Sequence, residues 1–208
     1  MGFREDNVYE ISPVGWNRPN VNVYCDMRSG GWTVIQRRSD PNVNFYRGWS
    51  NYKAGFGDKR GDFWLGNDVI HYVTSQDAYI LQVDITSVDN NMSRYDMGPF
   101  LIGPESKNYR LEYGLNGSVG NPFSTYDHYG DAWSCVKLHE GAWWYGDMRS
   151  HCSTVDEEVA CNYANDDVTG CYVTCTNNNL NGKFDTSLFW NGTICNIRKT
   201  EMKILPSW

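Results

Sequence analysis

Long apolar runs are missing from this chain of 208 residues. Nothing approaches the roughly 18 consecutive apolar residues of a membrane-spanning helix, so no bilayer crossing is expected. Basic charge is in short supply as well. Lys and Arg number 18 against 25 Asp and Glu, a net charge of −7, with a pI near 5.0. A nucleic-acid binder needs clustered Lys and Arg to meet phosphates, so that class is set aside. The opening residues, Met1-Gly2-Phe3-Arg4-Glu5-Asp6, hold no apolar segment and do not make a signal peptide. Internal repeats and low-complexity linkers are also lacking, which leaves a one-domain length over residues 1–208.

Aromatics, by contrast, are dense. Nine Trp, fourteen Tyr and eight Phe are ample material for a core and exclude a disordered chain despite its polar average. Twenty Gly and seven Pro point to many turns and irregular connections rather than long helices. Seven cysteines are present, and five of them (Cys135, Cys152, Cys161, Cys171 and Cys175) crowd into residues 135–175. That density suits disulfides in an oxidising compartment or a metal site. Three N-x-S/T sequons begin at Asn91, Asn116 and Asn191, each a candidate glycosylation site. Together these features describe a secreted, extracellular domain excised from a longer chain.

Hydrophobic periodicity gives an α+β class with a mixed or antiparallel central sheet and short helices. Residues 8–38 read as strands: Val21, Val23 and Cys25 alternate with polar neighbours, and Trp32-Thr33-Val34-Ile35-Gln36 is a β-branched run entered through Gly30-Gly31. Phe45, Trp49, Tyr52 and Phe56 fit one helical face over residues 45–60. Asn67–Ser75 reads as a second helix, with Val69, Ile70 and Val73 inward. Alternation returns at 78–88, and strands are expected at 109–113 and 197–205. From residue 114 the signal fades into Gly, Asn, Asp and Cys, a loop-rich half of the kind that carries binding sites.

Several motifs then resemble one family. Val23-Tyr24-Cys25-Asp26-Met27 and Gly30-Gly31-Trp32-Thr33-Val34-Ile35-Gln36-Arg37-Arg38 are followed in order by Phe45-Tyr46-Arg47-Gly48-Trp49, Tyr52-Lys53-Ala54-Gly55-Phe56-Gly57 and Phe63-Trp64-Leu65-Gly66-Asn67-Asp68. Phe123-Ser124-Thr125, Gly141-Ala142-Trp143-Trp144-Tyr145, Asn179-Leu180-Asn181-Gly182 and Thr200-Glu201-Met202-Lys203-Ile204 complete the series. The chain resembles a fibrinogen C-terminal, or fibrinogen-related, domain over nearly its whole length. The resemblance implies a secreted, non-enzymatic recognition domain with a loop-rich, disulfide-stapled binding region. Ficolins, tachylectins and invertebrate fibrinogen-related proteins use such a domain on microbial sugars, often acetylated. Angiopoietins, tenascins and fibrinogen use it on protein partners.

The back half departs from the family pattern. The family's calcium loop follows Phe-Ser-Thr, and here it supplies Asp127 and Asp131 as the calcium ligands to test, with Tyr129 where another aspartate is usual. A hard cation wants several oxygens, and the alternative reading is that these carboxylates cap turns. The family's acetyl pocket maps onto His139, the Cys175-Thr176 pair and a later aromatic loop, of which only seven residues remain between Gly182 and Trp190. Asp185, Phe189 and Trp190 are the residues left to line a cleft. Between Tyr145 and Cys175 stands an insertion, residues 146–174, carrying Cys152, Cys161 and Cys171 among acidic residues. With no apolar periodicity it is expected to be ordered by covalent staples. The resemblance pairs Cys135 with Cys175 and leaves Cys25 to a partner upstream. Cys152, Cys161, Cys171 and Cys195 then allow three pairings, a bridge from Cys195 to the insertion being preferred.

Sharper chemistries are weaker here. The cysteine gaps in the insertion lack a C-x2-4-C zinc knuckle. His128 and His139 flank Cys135, but a cysteine held in a disulfide has no thiolate to offer as a nucleophile. The sequence therefore points to a binding domain rather than an enzyme. A lectin-like domain for microbial polysaccharide, peptidoglycan or lipoteichoic acid is the leading expectation, with calcium as its candidate cofactor. A module binding an extracellular protein is the alternative. A cleft near Asp185 and Trp190 would favour the first, and a flat exposed apolar patch the second. In either case the full-length protein is expected to be oligomeric, because weak single sites gain strength from avidity. The sheet's connections and the exposure of these side chains decide between the two.

Overall fold

The computed structural model describes residues 4–146, 149–151, 163–166, 171–174, 178–184, 188–190 and 196–207. It contains strands β1 (Asn7–Ile11), β2 (Val21–Asp26), β3 (Trp32–Arg38), β4 (Phe56–Gly57), β5 (Phe63–Trp64), β6 (Tyr79–Ser87) and β7 (Met92–Pro99). The short pair β8 (Leu101–Ile102) and β9 (Leu111–Tyr113) follows, then β10 (Arg149–His151), β11 (Tyr163–Asp166), β12 (Cys171–Thr174) and β13 (Ile197–Pro206). The α-helices are α1 (Trp49–Ala54), α2 (Asn67–Ser75) and α3 (Trp133–His139).

Among the described residues eight strands share one antiparallel sheet, ordered β1-β2-β3-β13-β6-β7, with β5 attached to β3 and β4 to β5. Strand β13 runs up the middle: Met202 lies opposite both Gln36 of β3 and Val83 of β6. Successive side chains on a strand take opposite faces. Leu81, Val83 and Ile85 of β6 therefore join Met202 and Ile204 in the core, all almost fully buried. The other face is charged. There Arg37 meets Glu201 at 2.7 Å, Lys203 meets Asp84 at 2.9 Å and Asp26 at 3.1 Å, and Arg94 meets Asp84 at 2.7 Å. Burial works against the charge of Lys203, but its hydrogen bonds to Asp84 and Asp26 outweigh that and move its pKa up.

Over the core face sits a cluster of rings. Trp64 stacks on Phe123 at 5.9 Å, and Trp144 meets Phe123 edge-on at 5.1 Å. Their indole groups are satisfied: Trp64 donates to Asn67 Oδ1 and Trp144 to the Tyr109 carbonyl. Trp143 and Trp144 are wholly buried, so this pair is core and not a sugar-stacking platform.

Three expectations are corrected. The helix expected over 45–60 is confined to Trp49–Ala54. Gly55 stops it at φ 88°, and an alanine Cβ there would lie 2.3 Å from the Leu65 carbonyl oxygen, so the chain turns and Phe56 enters β4. The aromatics still converge, Phe45 and Tyr52 both packing edge-on against Phe56, but through a turn instead of a helical face. Strand β7 and helix α3 arise where no periodic signal was read. Within the insertion, where no secondary structure was expected, β12 pairs with both β10 and β11; the side chains of Cys152, Cys161 and Cys171 lie outside the described residues.

Candidate functional site

The loop after Phe123-Ser124-Thr125 is clipped to the start of α1. Thr125 and His128 exchange backbone hydrogen bonds of 2.8 and 3.1 Å around Tyr126 and Asp127. Asp127 Oδ1 accepts from the Thr125 hydroxyl at 2.7 Å and from the Trp49 backbone N–H at 2.8 Å. Helix α1 has Gly48 at its N-cap and no cap from its own side chains. A distant carboxylate thus satisfies an amide that a helix start leaves orphaned. Gly48 makes this approach feasible, since a Cβ there would sit 2.3 Å from Asp127 Oδ2. The Trp49 ring then packs on His128, centroids 4.0 Å apart, and on Tyr109 at 5.3 Å. His128 Nε2 lies 3.0 Å from Asn108 Oδ1.

Beneath Trp49 the assembly is anchored by charge. The Tyr109 hydroxyl donates to Asp68 Oδ1 at 2.5 Å, and Arg18 and Lys53 pair with the same carboxylate at 2.9 and 3.4 Å. Lys53 also pairs with Glu105, which accepts from the Trp49 indole. Burial, followed by the hydrogen bond to Asp68, drives the Tyr109 pKa upward, so the phenol stays a donor.

Aromatic side chains left exposed flank this rigid loop. Tyr126 lies 5.3 Å from Tyr46 at its start, and Tyr129 lies 4.7 Å from Trp133 at its end. Trp133 is 44% exposed, and the other three exceed a third. A groove of about 380 Å³ opens beside them, lined by Asn108, Pro122, Phe123, Asp127, His128 and Tyr129.

Asp127, expected as a calcium ligand, caps α1 through Oδ1, and the side chain of Asp131, the other expected ligand, lies outside the described residues. Asp131 lies on the short 3-10 turn Gly130–Ala132. Among the described residues no three His, Cys, Asp or Glu side chains converge to hold a metal ion, and Asp127 has one oxygen already committed to two donors.

Of the residues expected to line a ligand cleft, His139 and Phe189 come together and Trp190 does not join them, and all three are buried, His139 at 3% exposure and the other two at zero. His139 stacks on Tyr145 at 5.6 Å and meets Phe189 at 5.2 Å, while Trp190 packs on Tyr95 at 5.4 Å. Burial lowers the His139 pKa to about 4, so the imidazole is neutral at physiological pH. Beside them the 178–184 segment is fixed from below. Buried Gln36 donates to the Leu180 carbonyl at 2.8 Å, and Arg38 donates to the Gly182 carbonyl at 3.0 Å. Gly141 lies so close that a Cβ would meet the Asn181 carbonyl oxygen at 2.4 Å.

Cys135 is buried and in a disulfide. Cys25 is free and half-buried on β2. Cys152, Cys161, Cys175, Thr176, Asp185, Asn191 and Cys195 lie outside the described residues, as does the side chain of Cys171, whose backbone is on β12. Asn91 and Asn116 are exposed. Sequence reasoning missed Tyr126, Tyr129 and Trp133 as surface groups, along with the carbonyl-holding roles of Gln36 and Arg38. The crowding of aromatics at 126–133 next to Gly130 and Asp131 was the available signal, since a core strand or helix rarely carries that mixture.

Comparison with known proteins bears on this site. The model of the C-terminal globular domain of fibrinogen beta and gamma chains matches residues 1–207. Angiopoietin-related protein 7 of Bos taurus is 35% identical over 98% of this chain, and the chain spans 59% of that protein's length. The fibrinogen-like globe domain of human ANGPTL2 superposes with a TM-score of 0.77 at 28% identity, covering 99% of this chain and 94% of that one. A lamprey fibrin D-dimer complexed with the peptide Gly-His-Arg-Pro-amide gives a TM-score of 0.74 at 29% identity, covering 99% and 70%.

Proposed function

The chain belongs to the fibrinogen C-terminal domain family, and on that premise we propose that it is a non-enzymatic extracellular recognition domain whose working surface binds another protein. One observation carries this reading: Tyr46, Tyr126, Tyr129 and Trp133 stand exposed around a loop that Asp127 clamps to α1. Tyr and Trp held rigidly at a surface are the residues that dominate protein interfaces, because they give large contact area for little lost conformational freedom. The similarity to angiopoietin-related protein 7 supports the same class, as does a solved relative that holds a peptide. A secreted location is supported by the disulfide at Cys135 and by sequons at exposed Asn91 and Asn116.

The test is cell-surface binding by the domain displayed as a multivalent fusion, since single sites of this kind are weak. Binding to cells of the source animal is expected to vanish after the cells are shaved with protease and after Trp133→Ser with Tyr129→Ser. Binding that survives protease, or is indifferent to both substitutions, overturns the reading.

A second reading is binding of microbial polysaccharide, peptidoglycan or lipoteichoic acid. The groove favours it, because Asn108, Asp127 and His128 put hydrogen-bonding groups beside the Tyr129 ring, the mixture that sugar hydroxyls and an apolar sugar face require. The acetyl-pocket version of this reading is not supported by the burial of His139, Phe189 and Trp190.

A further inference from the structure

The β6–β7 hairpin ends in a tight loop. Asn90 donates its backbone N–H to the Ser87 carbonyl at 3.0 Å, Ser87 donates to the Asn91 carbonyl at 3.0 Å, and Asn90 takes the left-handed conformation at φ 63°. The tip is pinned to the start of β13: Val88 donates to the Asn196 carbonyl, and Arg198 donates to Asn90 Oδ1 at 2.6 Å. Its neighbour Asn91 is exposed, and among the described residues its side-chain amide has no partner. Ser93, two residues on, is also exposed, so Asn91-Met92-Ser93 presents both groups that an N-glycosylation acceptor needs. The Asn116 sequon differs, because Ser118 is wholly buried and its hydroxyl is out of reach once the domain has folded.

Around Asn91 two apolar side chains stand exposed among the polar Asp89, Asn90, Ser93 and Arg94. Met92 is 68% exposed and Val88 53%. Strand β7 lies at the end of the sheet order, with no further strand beyond it among the described residues. Free strand edges invite pairing with other chains, and proteins blunt them with charge, proline or a cover. From its third residue on, β7 has such protection in Arg94, Asp96 and Pro99; its first two residues, Met92 and Ser93, have none.

We propose that Asn91 carries an N-linked glycan, and that this glycan covers Val88, Met92 and the start of the β7 edge. In the transfer, Asn91 Nδ2 bonds to the anomeric carbon of a lipid-diphosphate-linked oligosaccharide supplied by the secretory pathway. The anomeric C–O bond breaks, the lipid diphosphate departs with the electron pair, and the amide gives up one proton. The proposal rests on the extracellular reading above, and its test separates the two.

The chain is produced in eukaryotic cells behind a secretory leader, digested with a peptide:N-glycosidase, and mapped by mass spectrometry. Asn91 is expected to convert to Asp, with Asn91→Gln and Ser93→Ala both removing one glycan and Ser93→Thr keeping it. Asn91→Gln protein is expected to aggregate several-fold faster on heating, and adding Val88→Ser and Met92→Ser to reverse that. Glycan at Asn116 or Asn191 but none at Asn91 overturns the proposal and leaves the extracellular reading intact. A glycosylated Asn91 whose loss leaves the aggregation rate unchanged overturns the covering role. Protein secreted with no glycan at all likewise overturns the proposal and leaves the extracellular reading intact.

Discussion

His139 illustrates how one residue decides between readings. Its ring is stacked between Tyr145 and Phe189, and burial holds its pKa at about 4. An unfolded histidine takes up a proton below about pH 6.5. Between that value and 4 the unfolded chain binds more protons than the folded one, so stability is complete above about pH 6.5 and falls as pH drops through the window. His139 alone is expected to remove on the order of 3 kcal/mol by pH 4. Urea melts of wild type and His139→Phe between pH 7.5 and 4 check this: the variant's stability should fall less steeply, and parallel curves would contradict it. Trp133 is the opposite case, an exposed ring with no folding role. Trp133→Ala is expected to leave the melting temperature within a degree or two, roughly what a small surface change does. Its cost to partner binding should be about 2 kcal/mol, roughly thirty-fold, read by titration against the purified partner.

At the scale of elements, the clip between the 125–128 turn and α1 is the feature that makes the aromatic surface rigid. Gly48→Ala places a Cβ where Asp127 Oδ2 now lies, so the carboxylate must leave Trp49 and the loop must shift. The domain is expected to stay folded while partner binding drops several-fold, and tryptophan fluorescence should report the changed contact between Trp49 and His128. The charged sheet face offers the control. Lys203→Ala leaves Asp26 and Asp84 facing each other without their shared cation, and breaking a buried pair in this way costs about 3 kcal/mol. Denaturant melts should show that loss with binding per folded molecule unchanged, because Lys203 lies on the sheet face opposite the core.

Legibility followed exposure and length. Helix α2 and strand β6 were readable because their buried side chains repeat with a clear period, Val69, Ile70 and Val73 on one and Leu81, Val83 and Ile85 on the other. Strand β7 was not, because the alternation of Arg94-Tyr95-Asp96-Met97 is short, its inward Tyr95 and Met97 are only half-buried, and Met92, Ser93 and Gly98 interrupt it. The 45–60 aromatics kept helical spacing for a packing reason and not a helical one, since a glycine turn brings Phe56 back onto Phe45. At the site, Asp127 was found through its motif, and its role as a cap belongs to a contact 78 residues away in sequence that no local pattern encodes. Trp133 was passed over although its crowding with Tyr126 and Tyr129 beside Gly130 and Asp131 was a local signal, because in a chain so rich in aromatics a core ring is the default reading.

For the whole molecule, the architecture divides the labour. The charged face and central β13 hold the sheet, the ring cluster under α1 and α2 forms the core, and the loops around 122–133 carry the exposed aromatics. Of the residues expected around an acetyl pocket, His139, Phe189 and Trp190 are buried, and Cys175, Thr176 and Asp185 lie outside the described residues. The central claim is that recognition resides on the exposed aromatics and is directed at a protein. Its most direct test is a pull-down on insoluble peptidoglycan, chitin and whole bacteria. It is run with calcium and with EDTA, with N-acetylglucosamine and acetate as competitors, beside binding to protease-sensitive sites on the source animal's own cells. The account predicts binding to the cells that neither competitor nor EDTA disturbs and that Trp133→Ala weakens roughly thirty-fold, with little retained on the polysaccharides. Retention on chitin or peptidoglycan that acetate and EDTA abolish, unaffected by Trp133→Ala, would contradict it.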